Sequence, residues 1–526
     1  MVSAQVHPER EPGLNGFVLP DIDPDLCRDL AADLTQARFG AESVRAAWGV
    51  AADDAIARGL RSPADRALGD RHDPLAVLAR LFVLGMPQSA AAVDSALPRL
   101  GADGLVRLAL AERDGSTVRP TALVRPQSFT DSHGDGRWWI ASDLDEAALQ
   151  GPLREDHVLG VGGASLTLAG LQLPTPAGRA LDLGSGCGIQ ALRVRRAADG
   201  VVATDISARA VWFTRLNARL NGVDGIETRG GSLFEPVAGE QFDRIVSNPP
   251  FVITPRAADV PAYEYRDGGM VGDDLVAAFV TGVGEHLAPG GVAQLLGNWE
   301  TRAGRDGLDR VRDWVEASPV PLDAWVVERE ALDPLSYAEL WIRDGGTLPG
   351  ASGFARLIDA WLDDFTARDV SEVGFGYLLL RRPLAGEPTL RRFERIPHAL
   401  EGRATLGGHL ADALAMHDLL VDVDDAELTA SVLLVAPDVT EARHHMPGAE
   451  APTVIELRQG GGYGRSLSVD PALAALVGAC DADLPLGSLI DAIAQLLEVD
   501  AVELRADLLP RVRELLFTGF LSIARG

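Results

Sequence analysis

Lysine does not occur anywhere in these 526 residues, so all 48 basic side chains are arginine. A phosphate-cradling loop of the kind that ends in Gly-Lys-Ser/Thr is therefore excluded. Cysteine is nearly as scarce. Cys27, Cys187 and Cys480 are scattered and can form neither a disulfide framework nor a metal cage, which makes a reducing cytoplasm the expected setting. No long uncharged apolar run is present, so no membrane span is expected. Met1 to Pro20 contains acids and lacks the basic-then-apolar order of a signal peptide. His444-His445 is the one adjacent histidine pair; neighbours in a strand point apart and no further ligands lie nearby, so no metal site is expected.

What is abundant is acid: 76 Asp and Glu against 48 Arg, a formal charge of -28. An acidic chain repels phosphate at long range, so binding a nucleic acid would need a local basic face. The use of arginine alone, beside many alanines and glycines, also fits a biased genome, which lessens the weight of the charge. The length suggests roughly three domains at about 150 residues each, and 47% hydrophobic content fits a soluble globular protein.

The chain is organised around Arg179-Ala-Leu-Asp-Leu-Gly-Ser-Gly-Cys-Gly188. A short apolar run carrying Asp182 ends in glycines at alternate positions, Gly184, Gly186 and Gly188, before a helical segment from Ile189 to Arg196. That order reads as a buried strand, a tight turn and a helix. Residues without Cβ let the backbone turn sharply and approach a ligand. A second strand, Val201 to Asp205, ends in a carboxylate about twenty residues on, where nucleotide-binding α/β units set an acid against ribose hydroxyls. A dinucleotide fingerprint would place glycine at 189, where Ile189 stands.

A third strand, Gln241 to Ser247, runs straight into Asn248-Pro-Pro-Phe251. Two prolines stop the strand, fix the turn and leave their carbonyls free. At the end of a parallel strand the turn faces the ligand crevice. The Asn248 oxygen and the Pro249 carbonyl suit the two hydrogens of a planar NH2 group, with Phe251 as a stacking plate.

Leu181-Asp-Leu-Gly-Ser-Gly-Cys-Gly188, Thr204-Asp205 and Ile245-Val-Ser-Asn-Pro-Pro-Phe251 together resemble the class I S-adenosylmethionine-dependent methyltransferases. The likeness is to the branch that methylates exocyclic or amide nitrogens, which includes nucleic-acid adenine-N6 and guanine-N2 enzymes and release-factor glutamine methyltransferases. The resemblance implies an α/β Rossmann-like core of seven strands binding S-adenosylmethionine through Asp182, Gly184, Ser185, Gly186, Gly188, Asp205, Ile206, Ser232, Leu233 and Asn248. It implies catalysis by Asn248, Pro249, Pro250 and Phe251 on a planar nitrogen, of RNA first or DNA, or else of a protein glutamine. A scaffold that has kept the fold without the activity is the third reading. Relatives usually carry an aspartate where Ser232 stands, so adenine would fall to the Ser232 hydroxyl and the Leu233 backbone.

Three domains are expected: 1–144, helical and winged-helix-like; 145–385, the methyltransferase core; 386–526, α+β with a winged-helix-like end. In the first, helices stop at Gly85-Met-Pro87 and a hairpin turns at Asp114-Gly115. Substrate docking and a packing or dimerisation role are equally open for it, and the oligomeric state is not specified. In the long loop after Phe251, Tyr263 and Tyr265 are candidates to stack on a substrate and Arg266 to meet a phosphate or carboxylate. Arg381-Arg382, Arg391-Arg392 and Arg395 read either as a phosphate-docking strip or as a solvated linker.

Overall fold

The computed structural model describes residues 19–149, 153–257, 260, 266–398 and 406–524. Its centre is one eight-stranded sheet of β1 (Ala177–Leu183), β2 (Ala198–Asp205), β3 (Ile226–Gly230), β4 (Phe242–Ser247), β5 (Leu287–Arg302), β6 (Asp323–Leu332), β7 (Val370–Arg381) and β8 (Arg391–Arg395). The spatial order is β8-β6-β7-β5-β4-β1-β2-β3. Every ladder is parallel except the two that β7 makes, antiparallel to β5 and β6. The chain winds outward from β1 to β3, then returns to lay β4 on the other side of β1. Ligands bind at such a reversal, beyond the carboxyl ends of the strands. β1 and β4 read as nearly unbroken apolar runs because helices cover both faces: Ala180, Leu181, Ile245 and Val246 are fully buried. Three helices frame the reversal: α1 (Gly163–Leu171), α2 (Ile189–Val194) and α3 (Ala208–Leu220), the last capped by the Ser207 hydroxyl on the Ala210 amide at 3.4 Å.

The expected seven-strand pattern is there, with one addition. The arginine-rich segment expected as a docking strip or a solvated linker forms β8, an edge strand parallel to β6. Two of its arginines are neutralised: Arg392 pairs with Glu394 and Glu514, and Arg395 with Glu328 and Asp306, while Arg391 donates to the Leu322 carbonyl. Arg381 pairs with Asp323 and Asp418, while Arg382 donates to the Leu287 carbonyl. Carboxylate partners satisfy Arg381, Arg392 and Arg395 internally, which withdraws these three from a phosphate surface.

Upstream, a helix over Pro74–Leu78 continuing through Ala79–Val83, a strand Gln88–Ser89, helices Ala90–Ala96 and Gly101–Arg107, and a hairpin Ala111–Asp114/Thr117–Pro120 follow one another. The three strands stack in the order first, third, second, all antiparallel, which is the arrangement of a winged helix. The core of this module runs without a break into Ile189, Leu192, Phe213 and Leu216 of the central unit. A second hairpin, Ala122–Asp131/Gly134–Asp143, lies along α3. Asn217 and Asn221 stand one helical turn apart and bond the backbone of Ala141 and Trp139, two residues apart in the strand. A turn of helix rises about 5.4 Å and two strand residues about 6.6 Å, so the spacings match closely enough for two amides to imitate a ladder.

The C-terminal region contains a meander of Val439–His444, Val454–Gln459 and Ser466–Val469, and a sheet of Asp481–Pro485, Val432–Val435 and Leu521–Ile523 in that spatial order. Helix Pro471–Ala479, strand Asp481–Pro485, helices Leu486–Leu497 and Ala501–Phe517, and strand Leu521–Ile523 repeat the winged-helix sequence of elements. The central strand is supplied from upstream by Val432–Val435, so this second module is a cyclic permutation of the first arrangement. Among the described residues, no helix is long and apolar enough to cross a membrane.

Candidate active site

A cavity of about 310 Å³ opens at the carboxyl ends of β1, β2 and β4. The glycine turn Leu183–Cys187, Thr204 to Ser207, Gly231 to Leu233 and Asn248 to Pro250 form its walls, closed by His157 to Gly160 and Asp267 to Gly269.

The glycine turn is held from behind. Gly184 and Ser185 both donate their amides to the Thr204 carbonyl at 2.9 Å, and Gly186 donates to Asp205 Oδ2 at 2.9 Å. From α3, Thr214 Oγ1 bonds the Gly186 carbonyl and lies 3.0 Å from Ser185 Oγ. All three glycines have left-handed φ, at 77°, 53° and 81°. At Gly184 and Gly186 a Cβ would meet no atom within 4 Å, so their missing side chains leave room for a ligand. At Gly188 a Cβ would come 2.9 Å from Thr214.

Asp205 lies at the wall. Its two oxygens accept the Gly186 and Ser207 amides, each at 2.9 Å, and each keeps a second lone pair. Burial raises its pKa. Ile206 beside it is 68% exposed and offers an apolar surface, with Ser232 and Leu233 on the cavity wall too. Asn248 is half-buried, and its Oδ1 is buried with no hydrogen-bond partner. Pro249 and Pro250 stand next to it in the wall.

Other expected site residues are placed elsewhere. Asp182 is fully buried beneath the turn, outside the lining, where its Oδ2 accepts the Ala191 amide at 2.8 Å. It shapes the turn through α2 rather than touching a ligand. Burial, helped by the charge of Asp205, pushes its pKa up to about 8. Phe251 is no plate over the cavity: it packs among three apolar clusters, edge-on to Trp341 at 6.5 Å. The bridge it forms with Asp267 sets it into the core. Arg266 is buried too, and donates to the Trp341 carbonyl at 2.9 Å and to Asp344 at 3.3 Å. It ties the loop to the helix Pro334–Asp344 and does not line the cavity. Tyr263 and Tyr265 lie outside the described residues.

Two features of the cavity were not singled out from the sequence. Asp267 lines it with a buried carboxylate held by Arg256 at 2.7 Å and by the Gly269 amide at 3.1 Å. The Asp-Gly-Gly run was the available signal, hidden beside two more conspicuous tyrosines. His157 forms part of the wall, and burial lowers its pKa and keeps the ring neutral; a lone histidine in an irregular segment carries no signal. Cys187 also lines the cavity, with a thiol pushed up to about 11 by burial, which makes it a poor nucleophile. Among the described residues no group of three or more potential metal ligands occurs.

The cofactor implied by the resemblance fits this donor set. S-adenosylmethionine needs a carboxylate for ribose, a side-chain-free turn beside it, and an apolar surface for adenine; Asp205, Gly184 with Gly186, and Ile206 with Leu233 offer these around one cavity.

Residues 162–306 match the family described as Methyltransferase small domain. Residues 36–121 and 413–523 match two domains of unknown function, DUF7059 and DUF7782. A release factor glutamine methyltransferase of Xylella fastidiosa is 35% identical over 137 residues, 24% of this chain and 48% of that protein. A ribosomal protein uL3 glutamine methyltransferase of Bradyrhizobium diazoefficiens is 34% identical over 152 residues, 27% of this chain and 46% of the other. The chain spans about half the length of the curated relatives it matches. Among solved structures, a ribosomal protein L11 methylase from Lactobacillus delbrueckii is 20% identical, covering 42% of this chain and 81% of that one with a TM-score of 0.24. That likeness is slight, and the strand order itself carries the fold. By sequence the central segment 162–306 matches the methyltransferase small-domain family, and its strand order is that of a Rossmann-like methyltransferase core.

Proposed function

We propose that this chain transfers a methyl group from S-adenosylmethionine to the side-chain amide nitrogen of a glutamine in a protein. The observation that carries the reading is Asn248 in the wall of the same cavity as Asp205, with a side-chain oxygen that has no hydrogen-bond partner. A buried acceptor without a donor costs about 1–3 kcal/mol, and a substrate NH2 group would relieve it.

When bound, S-adenosylmethionine supplies a methyl group on a sulfonium, already strongly electrophilic. The chain's own task is to hold and align. Asp205 receives ribose hydroxyls, and the glycine turn leaves space for the rest of the cofactor. Ser232 and the Leu233 backbone bound the adenine. Asn248 Oδ1 and the Pro249 carbonyl accept the two hydrogens of the acceptor amide, which draws the nitrogen lone pair out of its π system and stabilises the positive charge that develops there. With the cofactor bound, the acceptor nitrogen would take the methyl as the sulfonium leaves as a thioether, and would pass its surplus proton to water. No strong base is required, which agrees with the neutral His157 and the absence of lysine.

A protein acceptor is favoured over the RNA or DNA first expected. The similar curated proteins methylate protein glutamines by name. Arginines beside the cavity are committed to carboxylates: Arg209 to Asp143, Arg256 to Asp267 and Arg154 to Asp156. Arg392 and Arg395 of the strip are likewise paired with carboxylates, and phosphate binding rests on cations left available. Three buried free thiols suit a reducing cytoplasm. The test is transfer of tritiated methyl from the cofactor into a cell extract. Label removed by protease and untouched by RNase and DNase is expected; nuclease-sensitive label would overturn the protein acceptor, and no binding of the cofactor by calorimetry would overturn the enzyme itself.

A further inference from the structure

The helices Leu486–Leu497 and Ala501–Phe517 of the C-terminal module bury one apolar stripe each. In the first, Leu489, Ile490 and Ile493 are buried, and the next positions on that face at helical spacing are Leu496 and Leu497. In the second, Val512 and Leu509 are buried, and the stripe runs back toward Val502. The first stripe overshoots the core by about one turn and the second by about two, past Ala506. Leu496 is 77% and Val502 74% exposed, and Leu497 and Val499 are exposed beside them. The turn between the helices is firmly made: Glu498 takes a left-handed φ of 55°, and Asp500 caps the second helix by accepting the Val502 and Glu503 amides at 2.9 and 3.0 Å. The four apolar side chains therefore sit together on one fixed tip. Clusters of this kind on a soluble surface mark contact sites.

The charge around the tip selects the occupant. Asp491, Glu498, Asp500, Glu503 and Asp507 fall within residues 486–507, where Arg505 is the one basic residue and is paired with Asp491 at 2.7 Å. In a nucleic-acid-binding winged helix the corresponding helices carry cations, so these acids oppose a phosphate backbone. They oppose a second copy as well, since its acids would face these. We propose that this tip docks a polypeptide presenting apolar side chains framed by arginine or lysine. Apolar contact would supply affinity, and the acidic frame would supply orientation and a faster encounter.

The full-length chain can be titrated by fluorescence anisotropy against a labelled synthetic helix with leucines on one face and arginines on the other. Leu496→Ser with Val502→Ser is expected to weaken binding at least tenfold, and Glu498→Gln with Glu503→Gln several-fold with a flatter salt dependence. Both pairs lie on the surface, so circular dichroism and the melting midpoint should match the parent. Equal binding by either variant would overturn the proposal, as would equal binding of a peptide whose leucines are replaced by serine. Sedimentation that shows self-association lost in the serine variant would overturn it in favour of a second copy, and RNA competing for the tip would overturn it in favour of nucleic acid.

Discussion

An unpartnered carboxamide oxygen and a buried carboxyl with a raised pKa are the two residue-scale features on which the site turns. Asn248 is the group assigned to the acceptor nitrogen, and the cofactor contacts proposed above rest mainly on other residues. Asn248→Ala is expected to lower the transfer rate by about 10²–10³, the usual cost of losing one such polar contact in a transition state. Cofactor affinity, measured by calorimetry, should stay nearly unchanged; a variant that keeps most of its rate would remove the role given to the amide. Asp182 behaves otherwise. Its pKa rises to about 8 in the fold, against an ordinary 3.8. A carboxyl whose folded pKa is raised contributes stability that is complete below about pH 4 and is lost as pH climbs through 8, because over that window the folded state still holds a proton that the unfolded chain has already released. In chain free of cofactor, Asp182→Asn should therefore flatten the decline in melting midpoint between pH 5 and 8. An unchanged slope would show that Asp182 is ionised in the fold.

At the scale of elements, the hairpin and α3 matter more than their lengths suggest. Asn217 and Asn221 exchange four hydrogen bonds with the strand Gly134–Asp143, at 2.7 to 2.9 Å. Asn217 also donates to the Cys187 carbonyl at 2.8 Å, so the same side chain braces the glycine turn. Asn217→Ala leaves buried backbone groups unpaired and is expected to cost about 1–3 kcal/mol, read as a lower urea midpoint together with weaker cofactor binding. Asn221→Ala should lower stability without the second effect, because it touches no part of the turn. Nothing in the local sequence marks these asparagines as ties to a strand. Their partners lie 76 and 82 residues away, and no local pattern reports such a separation. The winged helix upstream was legible for the opposite reason. Its helices, its Gly85-Met-Pro87 stop and its Asp-Gly turn are all short-range signals.

Across the whole molecule, Glu394 on β8 joins the central sheet to the C-terminal region. It accepts from Arg465 at 2.7 Å and from Trp325 at 2.7 Å, and it pairs with Arg392, which reaches on to Glu514. Burial alone would raise its pKa, yet Arg465 and Arg392 hold it at about 2. His409, close by against Trp325 and Tyr463, is pushed down to about 4, chiefly by burial. The signs agree. A depressed acid gives stability that is lost as pH falls below about 4.5, and a buried neutral histidine opposes the proton that the unfolded chain takes up below 6.5. Acid should therefore loosen this junction, with Trp325 as the reporter: tryptophan fluorescence is expected to shift between pH 6.5 and 3, before far-ultraviolet circular dichroism is lost. Glu394→Gln should move that shift to higher pH and destabilise by about 3–5 kcal/mol, the cost of breaking a buried ion pair on one side. Coincident loss of both signals in the parent would refute a separate junction.

Neighbouring residues alone were enough to place the strand, turn and helix around Gly184 to Gly188, the acid at Asp205 and the proline corner at Asn248. Each is a backbone requirement met by adjacent residues, and such requirements are written locally. Long-range packing was needed to show that Asp182 and Phe251 face inward, that Arg266 serves Asp344, that Asp267 stands in the wall, and that a run of arginines forms a sheet edge with Arg392 and Arg395 paired to carboxylates. A side chain's surroundings come from strands and helices distant in sequence, and where a charge finds its partner depends on which of them the packed core brings within reach.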